Sequence, residues 1–185
     1  KRTLEYDDVM NAQRSEIYSF RSEALQADDP KETLFYAIEQ AVGAQASQGE
    51  LEVFISWVNT TFPLGVKAAD FTEHKDPQAL TDYVMEQVKK AYALKASHER
   101  PEALQRLERQ LILQAIDQHW QEYLRSMDSL RESIGLRAYG QRDPLIEYKK
   151  EAYHLFMDLM ERIYDEIATS LFRAATSVDA MQEFF

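Results

Sequence analysis

Glu151 and His154 are three residues apart, a spacing that two metal ligands on one helix can use. Di-iron helix bundles need this Glu-x-x-His motif on two helices, with a further glutamate from each of two others. This sequence contains the motif once, so a solvated helix surface is favoured over a metal-dependent oxidase, and we predict no metal site. His119 lies next to Trp120 and is predicted to pack or to form a hydrogen bond. No Ser/His/Asp set is recognisable, so we predict no catalytic residue.

Acidic side chains cluster near the start of the chain, at positions 5, 7 and 8. Neighbouring residues on a helix point about 100° apart, so these carboxylates cannot easily hold one cation. They could form a solvated patch, or they could pair with arginines of another domain. Basic residues recur along the same segment and Gln13 interrupts its apolar seam, as in helices that pack against several neighbours, which slightly favours the pairing with another domain. The predicted interdomain contacts are Glu5, Asp7, Asp8, Arg14 and Arg21.

The composition excludes several other classes of protein. The 185 residues include 32 acidic and 21 basic side chains, a net charge of −11, and such a chain repels phosphates. No nucleic-acid partner is therefore predicted. Five glycines without a Gly-x-Gly-x-x-Gly or Gly-x-x-x-x-Gly-Lys-Ser/Thr pattern cannot build a nucleotide-binding loop. Cysteine is absent, which excludes disulfides and thiolate zinc sites and fits a reducing cytosol.

The start of the chain predicts a fragment. No apolar run approaches the ~18–20 residues that span a bilayer, and the opening residues do not read as a signal peptide. The first residue is lysine and the sequence is helical in pattern from the outset. We therefore expect a piece excised from a longer protein.

Two long apolar seams predict two long helices in the second half of the chain. The first seam has spacings of three and four residues and consists of Leu113, Ile116, Trp120, Tyr123, Met127, Leu130 and Ile134. The second consists of Tyr148, Ala152, Phe156, Leu159, Ile163, Ile167 and Leu171. Helical periodicity of this kind indicates one buried face per helix. Two such helices with a short joint predict an antiparallel hairpin.

The whole chain is predicted to be all-α. Prolines at positions 30, 77, 101 and 144, three of them preceded by aspartate, mark helix starts. The predicted helices cover about 3–26, 30–46, 50–61, 78–97, 102–134 and 144–173, with one loop from about 63 to 75. The segment 47–98 is interpreted as a small helical insertion between the first long helix and the hairpin.

The joint of the hairpin, residues 135–142, is the most informative local region. Between positions 125 and 150 six basic residues stand against four acidic ones, although the whole chain is acidic. Leu136 and Tyr139 place an aliphatic and an aromatic side chain where water is expected, beside Arg137 and Arg142. They could fold back to cap the hairpin core, or they could form a basic, apolar fingertip that touches another molecule. From the residues alone, the two alternatives are equally favoured.

Two stretches resemble the helical scaffold domain of SecA, the bacterial preprotein translocase motor. The first, within residues 1–26, contains Leu4-Glu5-Tyr6-Asp7-Asp8-Val9, Asn11, Gln13-Arg14, Ile17-Tyr18 and Arg21. The second, within residues 110–165, is similar to the two-helix finger of that family. It contains Leu113-Gln114-Ala115-Ile116-Asp117, Trp120, Tyr123-Leu124, Met127-Asp128, Leu130-Arg131, Leu136-Arg137-Ala138-Tyr139, Gln141-Arg142-Asp143-Pro144 and Glu147-Tyr148-Lys149. The family commonly has Leu-Arg-Gly-Tyr-Ala at the tip, where this chain has Ala138 and Gly140 around Tyr139.

The resemblance implies a part of a motor rather than a complete enzyme. It implies a first scaffold part at 1–46, a helical wing at 47–98, a second scaffold part with the finger at 99–175, and the start of a C-terminal linker at 176–185. The parent would push unfolded secretory proteins through the SecYEG channel. Its ATP and Mg would bind in motor domains upstream, so no cofactor is expected in this segment. The finger region would restrain ATP hydrolysis.

The resemblance also implies partners and contact residues. The first scaffold helix would contact the motor domains, and the finger would reach the channel mouth and the moving preprotein through Leu136, Arg137, Tyr139 and Arg142. The parent would be cytoplasmic and peripherally associated with the anionic inner face of the plasma membrane. Exposed scaffold surface would also permit a homodimer of the excised chain. The alternative is a free-standing helical adaptor or coiled-coil interaction module.

Overall fold

The computed structural model describes residues 2–73, 76–137, 140 and 143–174. The regular secondary structure of this part of the chain is entirely helical, with no strand. Its elements are α1 (Arg2–Gln26), α2 (Lys31–Ala46), α3 (Leu51–Thr61), a short 3-10 helix (Ala68–Phe71), α4 (Pro77–Ser97), α5 (Pro101–Arg137) and α6 (Pro144–Leu171). The predicted all-α class is confirmed.

The hairpin of α5 and α6 is the centre of the fold. Six of the seven predicted seam residues on α5 are buried, and all seven on α6 are buried. α1 packs against both helices of the hairpin, α2 packs against α6, and α3 and α4 pack against α2. The buried side chains of all these elements form one continuous apolar core.

Two of the predicted Asp-Pro helix starts have the expected caps. The carboxylate of Asp76 accepts a hydrogen bond from the backbone N–H of Ala79 at 2.9 Å, and that of Asp143 accepts one from Leu145 at 3.0 Å. The following prolines occupy the first turn, where a missing N–H costs nothing. The sequence therefore positions the start of α6, which forms one side of the fingertip.

The hairpin joint is shorter than predicted. We expected α5 to end near residue 134, but the helix continues through Gly135 to Arg137. A glycine inside a helix costs only about 1 kcal/mol relative to alanine, which the buried turn before it can offset. Leu136 and Arg137 therefore belong to the last turn of a helix and not to a loop.

The inserted segment contains one element that the sequence did not predict. A 3-10 helix lies in the predicted loop, and its Phe71 is buried against Phe54 and Tyr83, with ring centroids 6.1 and 5.1 Å apart. α4 in turn contacts the end of α6, where the Tyr92 and Phe172 rings are 6.1 Å apart. Segment 47–98 thus shares its core with the rest of the fold, and its treatment as a separate wing stays a prediction.

Candidate functional site

The end of α5 exposes the side chain that we predicted at the fingertip. Ile134 is only 2% exposed, but Leu136, two residues further on, is 75% exposed. Leu136 therefore does not fold back to cap the hairpin core. Across the joint, Ile146 in the first turn of α6 is also exposed. The described part of the tip thus presents aliphatic surface to the solvent.

Arg137 is tied to the second helix of the hairpin. Its guanidinium forms an ion pair with the carboxylate of Glu151 on α6. This pair joins the last turn of α5 to the second turn of α6 just behind the tip. The other two predicted fingertip residues, Tyr139 and Arg142, lie outside the described residues.

The core behind the tip is closed by aromatic packing. Tyr148 on α6 is 1% exposed, and Tyr6 of α1 packs against it edge to face with ring centroids 4.9 Å apart. The Arg131 guanidinium lies 5.2 Å from the centre of the Tyr6 ring. Burial raises the pKa of the Tyr148 phenol. The base of the fingertip is therefore anchored by all three long helices.

Two of the charged residues predicted as interdomain contacts have partners inside the chain. The Asp7 carboxylate accepts a hydrogen bond from Arg131 on α5 at 2.8 Å. The Arg21 guanidinium donates two hydrogen bonds to Asp117 on α5, at 2.8 and 3.1 Å. These hydrogen bonds and charges raise the pKa of both arginines. All four side chains are half exposed, so each pair contributes little to stability.

The other three predicted contact residues, Glu5, Asp8 and Arg14, have no ion-pair partner among the described residues. Asp8 and Arg14 are exposed, Glu5 is half-buried, and Arg14 contacts the side chain of Asn11 on the same helix at 3.4 Å. Sequence reasoning could not find the partners of the inner pairs, because they lie 124 and 96 residues away in the chain. A contact with another domain through the outer residues stays a prediction.

An apolar stripe, interrupted by the exposed Asn11, also follows the outer side of α1. Leu4, Tyr18 and Leu25 are 64%, 54% and 44% exposed, and they are spaced by multiples of seven residues. Such spacing places them on one face of the helix. Tyr18 and Leu25 border a groove of about 460 Å³ between α1 and α5, whose floor includes Trp120. Neither the stripe nor the groove was identified from the sequence, although the spacing of the stripe residues could have been read there.

The described residues do not assemble a metal site or a membrane span. His154 is exposed, Glu151 is paired with Arg137, and His119 contacts Glu166 of α6. Within the ranges that the structure describes, no three histidine, aspartate or glutamate side chains converge on a point that could hold a metal ion. No helix in those ranges is long and apolar enough to cross a bilayer. What the surface offers is contact area at the fingertip and along α1.

Comparison with known proteins identifies the family. Residues 1–175 match the family described as SecA wing and scaffold domain. The chain belongs to this family. It is 37% identical over 180 residues to the protein translocase subunit SecA of Thermodesulfovibrio yellowstonii, covering 94% of this chain and 20% of that protein. It is 38% identical over 193 residues to the subunit from Prochlorococcus marinus (97% and 20%), and 38% identical over 183 residues to that from Geobacter metallireducens (93% and 20%).

The family match covers the middle of the chain as well as the two stretches that carried the resemblance. We expected the resemblance at about residues 1–26 and 110–165, whereas the family match runs through the segment between them. The chain spans about a fifth of the length of the curated SecA relatives that it matches. Membership in the family supports a translocase scaffold over a free-standing adaptor.

Proposed function

We propose that this chain is the scaffold and finger part of a motor that drives unfolded secretory proteins through the SecYEG channel. The family match and the name of the relatives, protein translocase subunit SecA, support this proposal. The motor would use ATP and Mg bound in domains outside this chain, since the chain spans only a fifth of its relatives. It would act in the cytoplasm, at the inner face of the plasma membrane and its anionic lipids. The finger region would restrain ATP hydrolysis when no preprotein is engaged.

The observation that carries the proposal is the change from burial to exposure at the end of the hairpin. α5 has 37 residues and α6 has 28, so they form a rod roughly 40–55 Å long. Its core is closed as far as Ile134, while Leu136 is 75% exposed. A stiff rod with an apolar end can press against a polypeptide without reading its sequence, because contact with aliphatic surface requires no particular side chain. Arg137, Tyr139 and Arg142 would complete this contact with the preprotein and the channel.

The outer side of α1 is proposed to contact the motor domains. Its apolar stripe, Leu4, Tyr18 and Leu25, leaves large side chains in water in this chain alone. Exposed apolar patches bordered by polar residues are typical of interaction surfaces. Glu5, Asp8 and Arg14 would supply the polar border of this interface, with Asp7 and Arg21 at its inner edge. In this chain alone the same face would be free to pair with a second copy.

The fingertip proposal is tested by transport into membrane vesicles, using the full-length translocase that carries this segment. Tyr139→Ala and Leu136→Ala should each reduce transport severalfold, while ATPase activity without preprotein persists. Tyr139→Phe should retain much of the transport, because contact needs size more than the hydroxyl group. Tyr153→Ala is the matched control, since Tyr153 is 62% exposed on the same hairpin but lies more than two turns from the start of α6.

Thermal melts of the same variants separate contact from folding. A surface contact residue should change stability by no more than about 0.5 kcal/mol when it is truncated. Normal transport by Tyr139→Ala and Leu136→Ala would contradict the proposal. A transport loss that is fully explained by a lower melting temperature would also contradict the proposal.

A further inference from the structure

The contact between α1 and α5 contains a series of polar pairs along its length. From the start of α1 to the joint after it, the pairs are Asp7 with Arg131, Gln13 with Tyr123, Arg21 with Asp117, and the carbonyl of Ala27 with Arg109. The residue numbers rise on α1 while they fall on α5, so the two helices are antiparallel. We call this series the polar ladder. Its pairs are six to eight residues apart on α1, or about 9–12 Å.

The pair formed by Gln13 is the buried member of the polar ladder. The Tyr123 hydroxyl donates to Oε1 of Gln13 at 2.6 Å, and Nε2 of Gln13 donates to the backbone carbonyl of Ala152 at 3.2 Å. Burial raises the pKa of the Tyr123 phenol, so the hydroxyl keeps its proton and remains a donor. One side chain of α1 thus bonds to both helices of the hairpin.

Apolar seams alone do not fix how far one helix is shifted along another. Shifting a repeating apolar seam by one or two turns brings apolar residues opposite apolar residues again, so several alignments have similar energies. A buried polar residue removes this degeneracy, because it is satisfied in only one alignment. Gln13 occupies a seam position of α1, four residues before the buried Ile17. Toward the end of α5 the seam offers Met127 and Leu130, and two turns toward its start it offers Ile116, none of which can donate to the amide oxygen. One turn toward the start lies Trp120, whose indole N–H is a donor on a ring of different size and shape from the Tyr123 phenol.

We propose that Gln13 is a positioning residue that fixes the alignment of α1 along the α5–α6 hairpin, so that scaffold helix and finger move as one body. The half-exposed ion pairs of the polar ladder cannot do this alone, because exposed pairs contribute little and long side chains can follow a small shift. A shifted alignment would lose the hydrogen bonds of Gln13, and this loss would lower the population of that alignment roughly 5- to 150-fold. The mechanical part of the proposal rests on the proposed function, whereas the alignment itself does not.

The alignment can be measured in this chain directly. The sequence has no cysteine, so Ser15→Cys on α1 and Arg106→Cys on α5 give two unique, exposed sites for spin labels. The two positions are offset along the helix axis by roughly 23 Å, so a shift of one helical turn changes their separation by about 5 Å. With Gln13 and Tyr123 intact, pulsed dipolar spectroscopy should give one narrow distance distribution.

Variants of the buried Gln13–Tyr123 pair and of the outer ion pairs then show which of them sets the alignment of α1. Gln13→Leu with Tyr123→Phe keeps the packing volume, and it should add a second distance component displaced by about 5 Å. Asp7→Asn with Asp117→Asn weakens the outer pairs and should leave one distance. Tyr92→Phe removes a buried hydroxyl from α4 and should also leave one distance. The single variant Gln13→Leu provides the same test if the double variant folds poorly, because the Tyr123 hydroxyl still has the Ala152 carbonyl as an acceptor at 3.4 Å.

The outcome that would overturn the proposal is an unchanged distance in Gln13→Leu/Tyr123→Phe, with or without a lower melting temperature. A shift in the Asp7→Asn/Asp117→Asn variant alone would also overturn it, since the outer pairs would then set the alignment. In the full-length translocase, Gln13→Leu should reduce transport while ATP hydrolysis without preprotein persists. A distance shift without a transport defect would contradict the mechanical coupling and leave the fingertip proposal standing.

Discussion

Replacing Glu108 with glutamine should make the protein more stable at neutral pH. The Glu108 side chain is 1% exposed, and its one ion-pair partner among the described residues is Lys31, whose Nζ lies 3.1 Å from Oε1. Burial raises the pKa of the Glu108 carboxyl, and the hydrogen bond and charge of Lys31 only partly oppose this effect. Asp29 raises the pKa further, and the Tyr92 hydroxyl lowers it. The folded protein therefore holds the carboxyl group of Glu108 in a place that disfavours its charged form.

The raised pKa of Glu108 sets the sign of the pH dependence of stability. A carboxyl whose pKa is higher in the folded state binds its proton more tightly there than in the unfolded chain. Its contribution to stability is full below the ordinary pKa of 4.5 and is lost as the pH rises through the folded pKa. Each unit of difference between the two values corresponds to about 1.4 kcal/mol. For a chain of this size that is roughly 3–6 °C in melting temperature.

Glu108→Gln has no charge to lose, so it should lack this pH dependence. Urea unfolding of both proteins between about pH 5.5 and 8.5 should show the variant more stable at the upper end, with a gap that narrows as the pH falls. Glu86→Gln is the matched control. Glu86 is exposed, and the hydrogen bond and charge of Lys90 lower the pKa of its carboxyl, so its replacement should not stabilise the protein. A Glu108→Gln variant that is less stable than the parent at pH 8 would show that the Lys31 pair outweighs burial, and would refute the reasoning.

Two further predictions concern the core and the absence of a phosphate-binding loop from the sequence. Ile163→Ala removes a side chain with no exposed surface from α6 and should destabilise the protein by about 2–5 kcal/mol in urea unfolding. Met157→Ala, on the exposed side of the same helix, should change the free energy of unfolding by only about 0.5 kcal/mol. Mg-ATP should leave the melting temperature of this chain unchanged, and a reproducible rise of several degrees would indicate a nucleotide site.

The sequence predicted the long helices because their apolar residues recur with helical period over many turns. Thirteen of the fourteen predicted seam residues on α5 and α6 are buried, and the exception, Leu113, is half-buried. The end of α5 was predicted less well, since Gly135 was taken as a stop although a helix tolerates a single glycine. Phe71 was placed in a loop because a four-residue helix is too short to show a period.

For the candidate site, the sequence indicated residue types but could not indicate their partners. The interruption of the α1 seam by Gln13 suggested several neighbours, and the structure gives Gln13 bonds to two other helices. The pair of Arg21 with Asp117 could not be predicted, because nothing local in a sequence aligns residues 96 positions apart. The sequence could not decide whether Leu136 is exposed or caps the hairpin core, because the answer depends on how far that core extends.

The anchoring of α6 at its far end turns the hairpin into a lever. Phe172, just after α6, is buried against Phe62 and Tyr92, so this end of the helix is held in the core. The 28 residues of α6 span about 42 Å from that anchor to the fingertip. A rotation of only about 5° around the anchor would move the tip by roughly 4 Å, which is close to the ~3.4 Å length of one residue in an extended polypeptide. In the proposed function, a small angular change at the pivot would therefore correspond at the fingertip to about one residue of an unfolded chain.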